Sequence, residues 1–276
     1  MGTNTWRYSV SYAESASRTS PIPLQGSMEA ALKTAALLGY DAIEFHTRED
    51  AILDFSKIQK LLQENNIKIC NIVTGRLCTE EKCTLLDDSV YIRERAMSGM
   101  KRYIEIAETL EAGVVIGWVK GIIPSGNDRV EYMQRLSDAL KELNEYSNAR
   151  NVKLFIEVIN RYETNIFTTA KETCDFLLKN DLDNCYVHLD TFHMGIEETD
   201  PYEAIRYCRD KLGYIHVADN SRHYPGSGMF NFEKILEALS DINFEGYINL
   251  ECLPEPDGET AAKNGINYLK LCAHKL

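Results

Sequence analysis

Residues 154–190, LFIEVINRYETNIFTTAKETCDFLLKNDLDNCYVHLD, read as strand, helix, strand. The run Leu154 to Ile159 is apolar apart from Glu157. Thr169, with Glu172 three residues on, is a capping box that opens a helix, and Tyr186 to Asp190 is a second short run closed by an acid. Neither run alternates polar with apolar over its length, so both faces of each strand are expected to be covered, as in parallel sheets wound with helices.

The same rhythm extends outward in both directions. Upstream, strands are predicted at Trp6 to Tyr12, Ala42 to His46, Ile67 to Thr74 and Val114 to Val119. Helices follow from Ser27 to Gly39 and from about Asp54 to Asn65, Ser89 to Leu110 and Asp128 to Arg150. Downstream come a helix capped by Asp200 with Pro201 at its first position, a strand at Tyr214 to Val217, a helix from Asn231 to about Leu239, a strand at Tyr247 to Glu251 and a last helix ending near His274. Eight strand–helix units in 276 residues predict an α/β fold, a single closed (β/α)8 TIM barrel over residues 1–276. The competing doubly wound sheet would carry a glycine-rich turn after its first strand, and Tyr12 to Ser20 has none.

Composition narrows the function. With 44% hydrophobic and 26% charged residues the chain is globular rather than disordered. A net charge of −12 opposes nucleic acid and anionic membrane surfaces as partners. No apolar run is long enough to span a membrane, and Met1 to Tyr12 does not read as an export signal. The eight Cys are scattered without a CxxC pair and read as reduced thiols of a cytoplasmic protein, with Cys78 and Cys83 the pair in a polar loop where a metal role is conceivable.

In such barrels the active site lies at the carboxyl ends of the strands. The last four predicted strands end in or near Glu157, Asp190, His216 and Glu251, each an ionisable group in an otherwise apolar run. Any one alone reads as a satisfied polar group of the barrel. Four on adjacent strands read as a cation site, because unpaired buried charge is costly and these heads converge. Three carboxylates and an imidazole suit Mn²⁺, Mg²⁺ or Co²⁺, with Zn²⁺ also admissible. His188 shares the parity of Asp190 and is expected deeper in the barrel as a hydrogen-bonded layer residue. Asn160, Arg161, Glu163, His193, Asp219, Asn220 and Arg222 follow these strands as loop residues at the same end.

The segments EVINRYE (157–163), LDTFHMGIEE (189–198), HVADNSR with the PGSG that follows (216–228) and NLEC (249–252) together resemble the ketose 3-epimerases, typified by tagatose and allulose 3-epimerases, within the xylose isomerase-like barrel superfamily. The resemblance implies a metal-dependent isomerase that inverts C3 of a ketose through a cis-enediolate. It implies one divalent ion, Mn²⁺ first, held by Glu157, Asp190, His216 and Glu251, with Glu157 and Glu251 as the acid/base pair. It places Glu163, His193 and Arg222 at the O1 to O3 end of the sugar, makes Trp118 an aromatic wall of the pocket, and implies a homodimer or homotetramer. Gly195 departs from the family, many of whose members have Asn there.

Other readings share this site. An aldose–ketose isomerase would move the proton between C1 and C2. A sugar-phosphate enzyme would use Arg222, His223 and the backbone of the Gly226/Gly228 loop to hold the phosphate. A non-catalytic sugar-binding protein would bind without proton exchange. A DNA-repair endonuclease of the superfamily would need extra His at the ends of strands three and four, where the sequence reads NIVTG and VIGWV.

Overall fold

The computed structural model describes residues 6–276. Residues 1–5, the start of the segment read above for an export signal, lie outside the described residues. Eight parallel strands form the barrel: β1 (Arg7–Ala13), β2 (Ala42–His46), β3 (Lys68–Val73), β4 (Gly113–Ile116), β5 (Leu154–Glu157), β6 (Cys185–Asp190), β7 (Leu212–Val217) and β8 (Tyr247–Leu250). Each pairs with the next, and β8 closes on β1 with Arg7 opposite Tyr247 and Val10 opposite Leu250. A two-residue strand, Leu24–Gln25, adds to β1 outside the ring.

The strands alternate with eight outer helices: α1 (Met28–Leu38), α2 (Phe55–Asn65), α3 (Val90–Thr109), α4 (Arg129–Asn148), α5 (Ala170–Lys179), α6 (Pro201–Cys208), α7 (Phe232–Asp241) and α8 (Gly258–Ala273). Their starts are chemically marked. Ser27 accepts the backbone N–H of Ala30, Asp128 that of Val130, and Asp200 those of Tyr202 and Glu203 ahead of Pro201. Thr169 accepts from Glu172 as predicted, while the Glu172 carboxylate takes the N–H of Thr168, one residue earlier than a standard capping box.

Two apolar regions result. The larger lies between sheet and helices, where Val10, Ile43, Ile72, Ile116, Ile156, Leu189, Val217 and Leu250 point outward from the strands. The smaller, around Ala42, Cys70, Val115, Phe155 and Tyr214, plugs the amino-terminal half of the barrel bore. Above it the bore is polar: Ser11, Glu44, His188, Asp190, His216, Asn249 and Glu251 are all buried. Irregular pairing sits beside this polar layer, where the β2/β3 register shifts at Ile43/Glu44 and the β6/β7 register at Val187/His188.

Two predicted boundaries are corrected. Strand four stops at Ile116, and Trp118–Lys120 form a 3₁₀ turn, so Trp118 stands on the turn after the strand rather than at its end. Strand five stops at Glu157 instead of Ile159. Short helices at Gly75–Thr79 and Thr191–Glu197, read as loop in the sequence, follow β3 and β6 and carry Cys78 and His193. All eight cysteines are free. Among the described residues, no helix is long and apolar enough to cross a membrane.

Candidate metal and sugar site

Asp190, His216 and Glu251 bring one ligating atom each within 4.8 Å of one another at the carboxyl end of the barrel, all buried. Glu157 joins Asp190 and His193 in a second group and His188 and His216 in a third. The three acids and one imidazole predicted from the strand ends therefore converge, with His188 and His193 at the margin. Cys78 and Cys83 belong to no such group among the described residues.

Local structure aims each donor. Asp190 caps the short helix Thr191–Glu197 by accepting the N–H of Phe192 through Oδ1 at 2.8 Å, which leaves Oδ2 turned into the bore without a hydrogen-bond partner. His216 shares Nε2 with Glu44 Oε2 at 2.7 Å, so its Nδ1 faces the centre, also unpartnered and 3.5 Å from Glu251 Oε2. Glu157 leans over Gly117, where a Cβ would lie 2.4 Å from Glu157 Oε2; any side chain at Gly117 would displace the carboxylate.

Glu44 was missed as a functional residue by the sequence reading. From β2, across the barrel, its fully buried carboxylate accepts from Ser11, Tyr214 and His216 at 2.7–2.9 Å, from His46 at 3.1 Å and from Asn249 at 3.3 Å. A carboxylate behind a histidine sets its tautomer and raises its basicity toward a cation. The signal is present in the sequence: AIEFH is an apolar run interrupted by an acid, as are the runs that hold Glu157, Asp190 and Glu251. Lys120, also missed, is fully buried with Nζ on the carbonyl of Gly117 at 3.2 Å, and burial lowers it to about 8 against the pull of Glu157 and Glu163.

The electrostatics divide the carboxyls. Burial raises Glu157 to about 8, with Glu251 and Asp190 adding to the shift. Burial likewise raises Asp190 to about 6, against Arg222. Burial works the same way on Glu251, but His216 and Arg222 overcome it and hold that carboxyl at about 2. For His216 burial is outweighed by Glu44 and Glu251, which raise it well above the imidazole range. A cation bound by the same donors would take the place of that proton.

A cavity of about 360 Å³ opens above these groups, lined among others by Trp118, Glu157, His193, Arg222 and Glu251. Glu163 reaches it indirectly, accepting Trp118 Nε1–H at 3.0 Å on one oxygen and Asn160 Nδ2–H at 3.0 Å on the other. His193 is buried and driven down to about 3 by burial and Arg222, so it is neutral. Arg222 donates to Glu251 at 3.1 Å and stacks 4.7 Å from Phe192. Its backbone is left-handed at φ 63°, held there by its N–H on Asp219 and its carbonyl under Leu253 N, both at 2.8 Å. The far wall, from β1 to β3, holds Ser15, His46, Arg76 and Glu80.

Two expectations fail. His188 is not hydrogen-bonded: both ring nitrogens lack hydrogen-bond partners among the described residues, and the ring packs with its centroid 4.1 Å from that of His216 and 4.8 Å from that of Tyr214. The Gly226/Gly228 loop has no backbone donors to offer a phosphate there. The N–H groups of Gly226, Gly228 and Phe230 all point at the buried carboxylate of Asp219, at 2.8–3.0 Å, and His223 bonds Ser221 and Glu255. Gly195 is explained as well: a Cβ there would come 2.7 Å from the Phe230 ring, leaving no room for the Asn found in many relatives.

Comparison with known proteins agrees with this architecture. The xylose isomerase-like TIM barrel family matches residues 32–272. The chain is 30% identical over 220 residues to the D-psicose 3-epimerase of Enterocloster bolteae, covering 78% of this chain and 73% of that one. It is 28% identical over 237 residues to the L-ribulose 3-epimerase of Mesorhizobium japonicum, covering 82% and 76%. A solved structure of an L-ribulose 3-epimerase superposes with a TM-score of 0.85 over 98% of this chain and 95% of that one at 24% identity, which shows a shared fold. The chain belongs to the xylose isomerase-like TIM barrel family and, with the 3-epimerases it is similar to, to that family's isomerase-class enzymes.

Proposed function

We propose that this protein is a divalent-metal-dependent ketose 3-epimerase. The observation that carries the proposal is the pair of unpartnered buried atoms, His216 Nδ1 and Asp190 Oδ2, turned to one spot that Glu251 and Glu157 also face, beneath a cavity of sugar size. Buried polar atoms without partners are rare, and here two of them are ligand types in a set of three carboxylates and one imidazole, which fits Mn²⁺, Mg²⁺ or Co²⁺. Glu157, Asp190, His216 and Glu251 would hold the ion, Mn²⁺ in our reading. When bound, such an ion supplies positive charge that stabilises an enediolate of the substrate.

The chain's own residues do the rest. Glu157 and Glu251 handle the proton at C3, one removing it and the other returning one to the opposite face, and their different proton affinities suit such a pair. Arg222 and His193 donate to the oxygens where negative charge develops. Glu163 and Trp118, joined by their hydrogen bond, wall the O1 to O3 end of the sugar. The family resemblance supports a homodimer or homotetramer, and the acidic chain with free thiols supports a cytoplasmic setting.

The test is incubation of Mn²⁺-loaded protein with free ketoses, aldoses and their phosphates in deuterated water. Deuterium at C3 of a free ketose, with formation of its C3 epimer, is the expected result. Label at C1 or C2 would make the enzyme an aldose–ketose isomerase, label only in phosphorylated sugars would move the substrate class, and no label anywhere would refute catalysis.

A further inference from the structure

Asn160 joins residues that the sequence presents as separate. It follows β5, is 1% exposed, and its side-chain Oδ1 accepts the backbone N–H of Tyr162 at 2.9 Å. That donor fixes which end of the amide is oxygen. The amide nitrogen therefore faces the other way, where it meets Glu163 Oε1 at 3.0 Å and His193 Nδ1 at 2.7 Å. An amide NH₂ only donates, so the ring nitrogen opposite it must offer a lone pair. In a neutral imidazole the proton is then on the other nitrogen, and His193 Nε2 is the one turned toward Asp190 Oδ2, 3.7 Å away, on the side of the cavity.

We propose that Asn160 is a positioning residue that keeps the proton of His193 on Nε2, so that the imidazole presents an N–H to a substrate oxygen in the cavity. The inference rests on the reading of His193 as a substrate-facing group. Its physical content is a tautomer choice. With the proton on Nδ1, Nε2 would turn a lone pair toward an oxygen that gains negative charge, replacing attraction by repulsion. The same amide holds Glu163, whose other oxygen takes Trp118 Nε1–H, so Trp118, Glu163, Asn160 and His193 form one hydrogen-bonded chain along the pocket wall.

The experiment is a two-bond proton–nitrogen spectrum of the ¹⁵N-histidine-labelled, Mg²⁺-loaded protein at neutral pH, with His193 assigned by the signals lost in His193→Asn. The expected result is a protonated Nε2 and an unprotonated Nδ1. Asn160→Asp, which offers an acceptor, is expected to move the proton to Nδ1, and Asn160→Ala to give a mixture; the Ala variant serves if the Asp variant does not fold. A wild-type His193 protonated on Nδ1, or a pattern unchanged in the variants, overturns the inference whatever the activity. In the Mn²⁺-loaded enzyme Asn160→Asp is expected to lower kcat about 100-fold with KM changed less than about threefold. A shifted tautomer with unchanged kcat would instead overturn the donor role of His193, leaving the tautomer control by Asn160 standing.

Discussion

Strands β5 to β8 bring Glu157, Asp190, His216 and Glu251 to the mouth of the barrel, whereas β1 to β4 end in Ala13, His46, Val73 and Ile116. The β5–β8 half carries the candidate ligands and the charge. The β1–β4 half contributes the far wall of the cavity and, one layer deeper, Glu44, whose bond to His216 spans 172 residues of chain. The reactive half is thus held from behind by the quiet one, and closure of the ring is what makes that support possible. The contrast predicts that substitutions in the two halves fail in different ways.

The largest effect belongs to the β5–β8 half. Glu251→Gln removes the charge opposite Arg222 and His216 while keeping the shape, and deuterium exchange at C3 should fall by at least about 1000-fold with the circular dichroism spectrum unchanged. His46→Asn, in the cavity wall on β2, should cost less than about tenfold in the same assay. An equal loss in both would erase the distinction between the halves. Next comes the supporting contact. Glu44→Gln should weaken Mn²⁺ binding, measured by calorimetry, about 10- to 100-fold. Glu44→Ala leaves the donors of Ser11, Tyr214 and His216 without an acceptor and should also lower unfolding stability by about 1–3 kcal/mol. Unchanged affinity in Glu44→Gln would mean that the two halves are not coupled through this bond.

The same contrast explains what could be read in advance. The eight units were legible because each strand is a short apolar run and six of the outer helices announce their start with Ser27, Asp54, Asp128, Thr169, Asp200 or Asn231 and a periodic apolar face, while Ser89 ahead of α3 makes no such cap bond. The ligand candidates were legible because an acid or an imidazole interrupts an apolar run. Glu44 obeys the same rule, yet it stands two residues inside its strand's end and outside the motif-bearing half, so depth in the barrel hid it. Lys120, which interrupts the apolar run GVVIGWVKGII, and Arg76 both fall just past their predicted strands, where a polar residue looks like any loop residue until the turn folds it inward. The occupation of the Gly226/Gly228 loop by Asp219 is a tertiary fact: backbone donors look available in sequence whether or not a carboxylate has already taken them.

Proton linkage gives a third and smaller effect. Glu157, raised by burial to about 8, and His216, raised well above the imidazole range by Glu44 and Glu251 although burial opposes it, both carry protons near neutrality that a cation must displace. Protons released on binding make affinity rise with pH. Between pH 6 and 7 the Mn²⁺ dissociation constant should fall by about tenfold or more, and calorimetry in buffers of different ionisation enthalpy should report at least about one proton released per ion. Glu157→Gln should remove one proton from that release while Glu44→Gln, which weakens the hold on the His216 proton, should remove part of another. Affinity independent of pH would mean that these groups do not ligate.

The smallest expected effect lies at the far wall. Arg76 donates to Glu80 at 2.7 Å and to the carbonyl of Ser15 at 2.6 Å, and Glu80 also takes Arg48 at 2.6 Å, so two guanidinium groups share one carboxylate at the cavity rim. Arg48 and Glu80 are half exposed or nearly so, which keeps these pairs weak. A sugar chelated at the β5 to β8 end would extend its far hydroxyls toward this wall, where they meet contacts that do not change as C3 loses its proton. Such uniform binding enters KM and leaves kcat alone. Arg76→Ala should therefore raise KM for the preferred ketose about 3- to 10-fold with kcat within about twofold, and it should do so unequally for ketoses that differ beyond C3. If kcat fell instead while KM held, the quiet half would be taking part in the chemical step, and the division of labour drawn from the strand ends would have to be abandoned.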